Sequence, residues 1–183
     1  FFLNTVLVLL RNSKIIDVDL YVIGAFWLLT IASILGIWGY RTKEITYKGT
    51  FSFFPFGAFL FIGLGITAHF TISYFFISGN DSFVEAIEDV IIYSQLGYSL
   101  MFVVYVIANF SEMLHQNVDV VKVLYKPRRM PYFISRFAGV VVIMALFFRS
   151  NMIPYYQSVA GFYSGIGDLY LKSQDYLSAA EYY

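Results

Sequence analysis

Residues 49–80 read GTFSFFPFGAFLFIGLGITAHFTISYFFISGN, a stretch without Asp, Glu, Lys or Arg and with Pro55 near its start. A helix rises about 1.5 Å per residue, so about 20 apolar residues cross the hydrocarbon layer of a bilayer. A helix over 54–78 is long enough to span, and proline suits its first turn, where a missing N–H removes no helical hydrogen bond. Three more runs read the same way, at 20–40, 90–111 and 131–148. Residues 1–10 look like the tail of a further span. Arg136 lies about one turn into the last run, where a long side chain can carry its charge back to the headgroups. The expected fold class is all-α, with a polytopic transmembrane helical bundle over residues 1–149.

Composition points the same way. The chain is 59% hydrophobic and 13% charged, against about 25% charged in ordinary soluble domains. Helices buried on all sides in a soluble protein are also apolar, but four such runs leave almost no polar outer face to hold so small a chain in water. The 12 basic and 12 acidic residues cancel, so no net field draws nucleic acid, and none is expected as a partner. No cysteine is present, which removes disulfides, thiolate metal sites and cysteine nucleophiles together. The chain opens at Phe1 and closes at Tyr183 inside a helical pattern, so a fragment cut at both ends is expected.

Orientation follows from lysine and arginine. Arg41, Lys43 and Lys48 form one basic cluster between spans, and Lys122, Lys126, Arg128 and Arg129 form another. Both loops are expected in the cytoplasm. The basic run at 126–129 could grip anionic headgroups, but fixing topology is the simpler role. The connection from Gly79 to Asp89 holds Asp81, Glu85, Glu88 and Asp89 and no base, which suits the opposite side. Arg11 and Lys14 fall outside against the rule. Alternation then puts everything after Phe148 beyond the cytoplasm, in the periplasm of a bacterium, with Tyr155 and Tyr156 at the outer interface. The expected location is the inner membrane with an extracytoplasmic tail.

The last twenty residues carry a second pattern. Tyr163, Ile166, Gly167, Tyr170, Ala179 and Tyr183 stand at the spacings of Trp-x2-Leu-Gly-x2-Tyr followed by Ala-x3-Phe. Gln174 departs from it, standing where the turn usually has glycine. On these residues the chain resembles a tetratricopeptide-repeat-containing polytopic bacterial membrane protein. The resemblance implies the start of a helical-hairpin array over 155–183, in which a small Gly167 admits the neighbouring helix and Tyr170 and Tyr183 fill the space that Ala179 leaves. It also implies protein partners gripped by the array. One repeat cannot bury its own apolar face, so more are expected in continuation.

Few residues suggest chemistry. His69 is the one histidine inside a span, and an ionisable group there is a functional candidate. The plainer reading is a neutral imidazole bonded to a neighbouring helix, helped by Thr67, Thr71 and Ser73. Ser82 and Glu85 form a capping-box pattern that predicts a helix start. From there Asp81, Glu85, Glu88, Gln95, Ser99 and Asn109 fall within a sector of about 120°. An outer-leaflet polar site of His69, Glu85, Glu88 and Gln95 is the sharper reading. Helix-start electrostatics and interhelical hydrogen bonds are the plainer one. Gly36 with Gly39, and Gly63 with Gly65, read as close helix packing.

No metal site and no cofactor is expected. Glu85 and Glu88 give Glu-x-x-Glu where a di-iron site wants Glu-x-x-His, and His115 lies toward the opposite side from His69. The leading expectation is a non-enzymatic membrane anchor and scaffold in contact with the lipid bilayer, with protein partners on its repeat array. One alternative is an integral-membrane enzyme of lipid-linked glycan polymerisation or transfer with a repeat tail. Another is an ion-coupled transporter, which rests on His69 and the polar stripe alone.

Overall fold

The computed structural model describes residues 2–12, 15, 23–46, 56–116 and 130–183, and among these there are seven helices and no strand. They are α1 (Phe2–Asn12), α2 (Ala25–Thr46), α3 (Phe56–Ser78), α4 (Asp81–Gln116), α5 (Tyr132–Arg149), α6 (Ile153–Lys172) and α7 (Tyr176–Tyr182). The predicted boundaries at 20–22 and 54–55, with Pro55, lie outside the described residues, as do Lys14, Lys48, Lys122, Lys126, Arg128 and Arg129. Arg41 and Lys43 fall on the continuation of α2, which runs as helix to Thr46.

Two helical stretches, Phe56–Ser78 and Asp81–Ser111, are long and apolar enough to cross a membrane, and a third is added if 133–149 and 153–172 count as one interrupted span. Ala25–Gly39 is a shorter apolar stretch. None of the most apolar window of α3 is buried, and Phe59, Leu64, Phe70 and Ile77 point outward. An unbroken apolar exterior on a helix of that length is what hydrocarbon requires.

The chain divides into two compact units, residues 1–23 with 90–153, and residues 24–89 with 154–183. In the first, α4 and α5 run antiparallel: Tyr93 meets Phe147 edge to face at 5.4 Å, and Asn109 near the other end of α4 holds Met130 just before α5. Glycines set their spacing. A Cβ at Gly97 would collide with Ile143 and the Gly139 carbonyl, and one at Gly139 would lie 2.8 Å from the Tyr98 ring. In the second, α2 and α3 are antiparallel, with Phe26 against Phe76 at 5.7 Å and the Phe61 ring 2.7 Å from where a Cβ on Gly36 would sit. The close packing expected of the glycine pairs is thus met at Gly36. Among the described residues nothing lies within 4 Å of the Cβ position at Gly39, Gly63 or Gly65.

Helix ends follow one recurring design. After α3, Gly79 takes φ +70, its N–H donates to the Phe76 carbonyl and the Asn80 N–H donates to that of Phe75. After α5, Asn151 (φ 53) and Met152 repeat the arrangement on Phe148 and Phe147, and after α6, Gln174 (φ 64) and Asp175 repeat it on Leu171 and Tyr170. Each is a Schellman closure, which satisfies carbonyls that a helix end leaves bare. The residue completing two of these closures also starts the next helix. Asn80 Oδ1 accepts from the Phe83 N–H, and Asp175 Oδ1 accepts from the Ser178 N–H. This corrects the capping-box expectation: Asn80 caps α4, Ser82 is already inside the helix, and Glu85 bonds elsewhere.

Candidate functional site

His69 lies on the inner face of the α2–α3 pair. Its Nδ1 is 2.8 Å from the carbonyl of Gly65, one turn back on its own helix, and its Nε2 is 3.0 Å from Oγ1 of Thr30 on α2. A carbonyl only accepts, so Nδ1–H donates to Gly65, and the single Thr30 hydroxyl proton is shared between Nε2 and the Phe26 carbonyl. Thr30 Oγ1 is also 2.9 Å from the Phe26 carbonyl. The interhelical partner is therefore Thr30, which periodicity along one helix does not reveal. Thr67 and Thr71, expected to assist, donate instead to the carbonyls of Gly63 and Thr67 on their own helix.

Two open apolar grooves, about 410 Å³ and 460 Å³, flank this pair and share His69 and Ser73. Leu29, Ile72 and Phe76 line the first, and Ile34, Phe61 and Ile66 line much of the second; no carboxylate lines either. An imidazole bonded on both ring nitrogens between apolar walls pins the two helices.

The other members of the predicted polar site have different surroundings. Glu85 Oε2 accepts from Nε2 of Gln157 on α6 at 3.0 Å. Gln157 Oε1 is sealed from solvent and makes no hydrogen bond among the described residues. Glu88 is half-buried on the same first turns of α4. Gln95 belongs to the other compact unit. Ser99 and Asn109, farther along the predicted stripe, bond to the Leu96 and Tyr105 carbonyls. Among the described residues no group of three or more His, Asp or Glu could hold a metal ion.

Helices α6 and α7 form an antiparallel hairpin that packs against the start of α4 within the unit of residues 24–89 and 154–183. Asn80, 4% exposed, donates from Nδ2 to the Gly161 carbonyl at 2.7 Å, and a Cβ at Gly161 would lie 2.8 Å from the Phe83 ring. The hairpin itself closes over Gly167, where a Cβ would be 3.0 Å from the ring of Tyr183. Ala179 is 2% exposed, and Ile166 is half-buried. Tyr170 stacks on Tyr182 at 5.5 Å and 11°, and Tyr163 lies against the same ring at 6.3 Å.

Two charges trim the hairpin. The Tyr183 hydroxyl donates to the Asp168 carboxylate, and that bond holds the phenol above its ordinary 10.0. Asp175 accepts from both the hydroxyl and the N–H of Ser178, with the hydroxyl bond the larger influence, and is held below its ordinary 3.8. Sequence patterning did not single out Tyr182, Asp168 or Asp175.

Two asparagines, Asn80 and Asn4, were also missed, and Asn109 was placed on the polar stripe without its partner. Beside Asn80, Asn4 binds both the N–H and the carbonyl of Ile23 at 3.0 Å, and Asn109, 6% exposed, binds those of Met130 at 3.1 and 3.3 Å. Each supplies one donor and one acceptor to backbone, and for Asn4 and Asn109 that backbone lies outside any helix. A lone Asn within an apolar helix was the available signal at Asn4 and Asn109, and an Asn directly after Gly79 was the signal at Asn80. Comparison of the chain with protein-family models, with curated proteins and with solved structures finds no match.

Proposed function

We propose that the chain is a membrane-anchored scaffold that presents a tetratricopeptide-type helical array to protein partners outside the cytoplasm. The observation that carries this reading is the α6–α7 hairpin. The residue types the repeat pattern asks to be small, Gly167 and Ala179, are both buried where the two helices meet, with tyrosines around them. Helices apolar enough to cross a membrane supply the anchor. Tethering a binding surface beside a bilayer raises its effective concentration for other envelope components without any new contact.

The test has two readouts on the full chain in a bacterial inner membrane. Alkaline phosphatase fused after Tyr183 is expected to be active, which requires export. A photo-crosslinking residue at Leu177, 81% exposed, is expected to give discrete protein adducts that disappear when Gly167→Leu opens the hairpin. An inactive fusion overturns the orientation. Absence of adducts, or adducts indifferent to Gly167→Leu, overturns the scaffold role.

A further inference from the structure

Helix α6 has two unlike faces. Pro154 and Gly161, seven residues apart, are buried, Gly161 against Phe83 and Asn80. One residue further on, about 100° around the helix, Tyr155, Phe162 and Leu169 are exposed at 56%, 60% and 64%. Half-buried Val159 and Ile166 lie between them, so the five make one apolar stripe along the helix at alternating four- and three-residue spacings. No charged side chain interrupts it. The charges of α6, Asp168 and Lys172, fall on the side of Pro154 and Gly161.

Chain continuity selects what covers the stripe. Helix α5 exposes Phe133, Phe137, Val141, Met144 and Phe148, an apolar surface that lipid covers if α5 crosses the membrane. Only residues 150–152 separate its end from the start of α6, and three residues reach at most about 10 Å. The first turn of α6 is therefore within reach of the headgroup layer. It opens with Tyr155 and Tyr156, and tyrosine is the side chain that favours that depth. The charges of α6 lie off the stripe, and a helix with an aromatic apolar face beside a polar one lies in the plane of such an interface.

We propose that the Tyr155–Val159–Phe162–Ile166–Leu169 stripe of α6 rests on the lipid bilayer at the headgroup boundary, so that the hairpin is laid against the membrane that anchors it. This rests on the reading of α6 as lying outside the spanning region. The partner is a lipid surface, and the contact orients the α6–α7 hairpin with its Gly161 face and Tyr182 stack away from the acyl chains.

The chain has no cysteine, so single-cysteine variants carry a fluorophore at one defined place. Phe162→Cys, Leu169→Cys and the off-stripe control Lys172→Cys are labelled with nitrobenzoxadiazole in full-length protein in phosphatidylethanolamine–phosphatidylglycerol vesicles. Lipid-borne doxyl groups are expected to quench the two stripe labels. Aqueous iodide is expected to quench them about fivefold less than the Lys172 label, as for a helix half-sunk in the interface. Equal iodide quenching at all three positions overturns the proposal. Lipid quenching of all three, Lys172 included, places α6 within the hydrocarbon and overturns both this proposal and the hairpin outside the membrane. Oxidative disulfide formation between copies of unlabelled Phe162→Cys, with no lipid quenching of the labelled variant, assigns the stripe to a second copy and overturns it too. A cytosolic result from the Tyr183 fusion would sink the export reading alone, since the stripe labels report contact with lipid on whichever side they lie.

Discussion

The hydroxyl of Thr30 on α2 and Nε2 of His69 on α3 are joined at 3.0 Å, while the other ring nitrogen is committed to the Gly65 carbonyl. The bond fixes the rotation of one helix against the other at a place where the rest of the interface is apolar. Thr30→Val is expected to weaken the α2–α3 pairing by about 0.6–2 kcal/mol, the range for interhelical hydrogen bonds in membranes, and Thr30→Ser to recover most of it. Reversible unfolding in mixed micelles reads the difference. A Val variant as stable as the parent would show that the pair contributes nothing to helix association.

Asn80 does two things that substitution can separate. Asn80→Ser keeps a capping oxygen for the Phe83 N–H but loses the donor to the Gly161 carbonyl, whereas Asn80→Ala loses both. The expected order of stability is parent, Ser, Ala, with Ala costing about 1–3 kcal/mol from a lost cap and a lost buried hydrogen bond to the Gly161 carbonyl. Ser and Ala variants of equal stability would mean that the cap carries no weight.

Gly161 and Gly167 both face aromatic rings, yet a methyl group should not cost the same at each. At Gly161 it meets the Phe83 Cβ and ring and the Asn80 side chain within 2.9 Å, all held by packing, so Gly161→Ala is expected to cost about 1–3 kcal/mol. At Gly167 the obstacle is the Tyr183 ring at 3.0 Å, part of an exposed side chain with room to shift by a few tenths of an ångström, so alanine there should be nearly neutral and leucine should not. Thermal unfolding of the three variants in one detergent checks the ranking.

Gln174 holds φ 64, where a side chain is strained and glycine is not. Gln174→Gly is expected to stabilise the α6–α7 hairpin by about 0.5–1 kcal/mol, and Gly79→Ala to destabilise the α3–α4 turn by about 1 kcal/mol. Protection of the α7 amides against hydrogen exchange reports the first. Unchanged or reduced protection would mean that Gln174 gains more from its side chain than its backbone loses.

The hairpin has a limit at each end of the pH scale. Asp175 is held below its ordinary 3.8, so its contribution is present above that value and is lost as pH falls through the depressed folded value. Tyr183 is held above 10.0, so its contribution is present below that value and is lost as pH rises through the raised folded value. Asp175→Asn should remove the acid limb and Tyr183→Phe the alkaline limb of a proteolysis profile at the 173–175 turn. A profile with both limbs intact in the double variant would assign the pH dependence elsewhere.

Absence of charge over long runs made the helices legible, because a helix in hydrocarbon has almost no other way to be written. Pairings between helices were hidden for the reason that a single helix's periodicity says which way a side chain points and not what stands there. Thr30 was invisible on that account. Gln95 was grouped with Glu85 by rotation angle, but α4 is 36 residues long and serves two compact units, so one face of it has different neighbours along its length. The misplaced cap has a local cause. Ser82 and Glu85 fit the capping pattern, yet Gly79 in the left-handed region ends α3 so abruptly that the very next residue must begin α4.

That abruptness removes all slack from the joint. Asn80 closes one helix with its N–H while opening the next with its side chain, and Asp175 does the same between α6 and α7. Adding or deleting a residue at either joint would force the chain to abandon one of the two jobs and would swing the following helix by about 100°. The elements on either side are therefore geared like cogs on one shaft. Neither joint can serve as an insertion site for an epitope tag or a spacer, whereas point changes on the outward surfaces leave the gearing untouched.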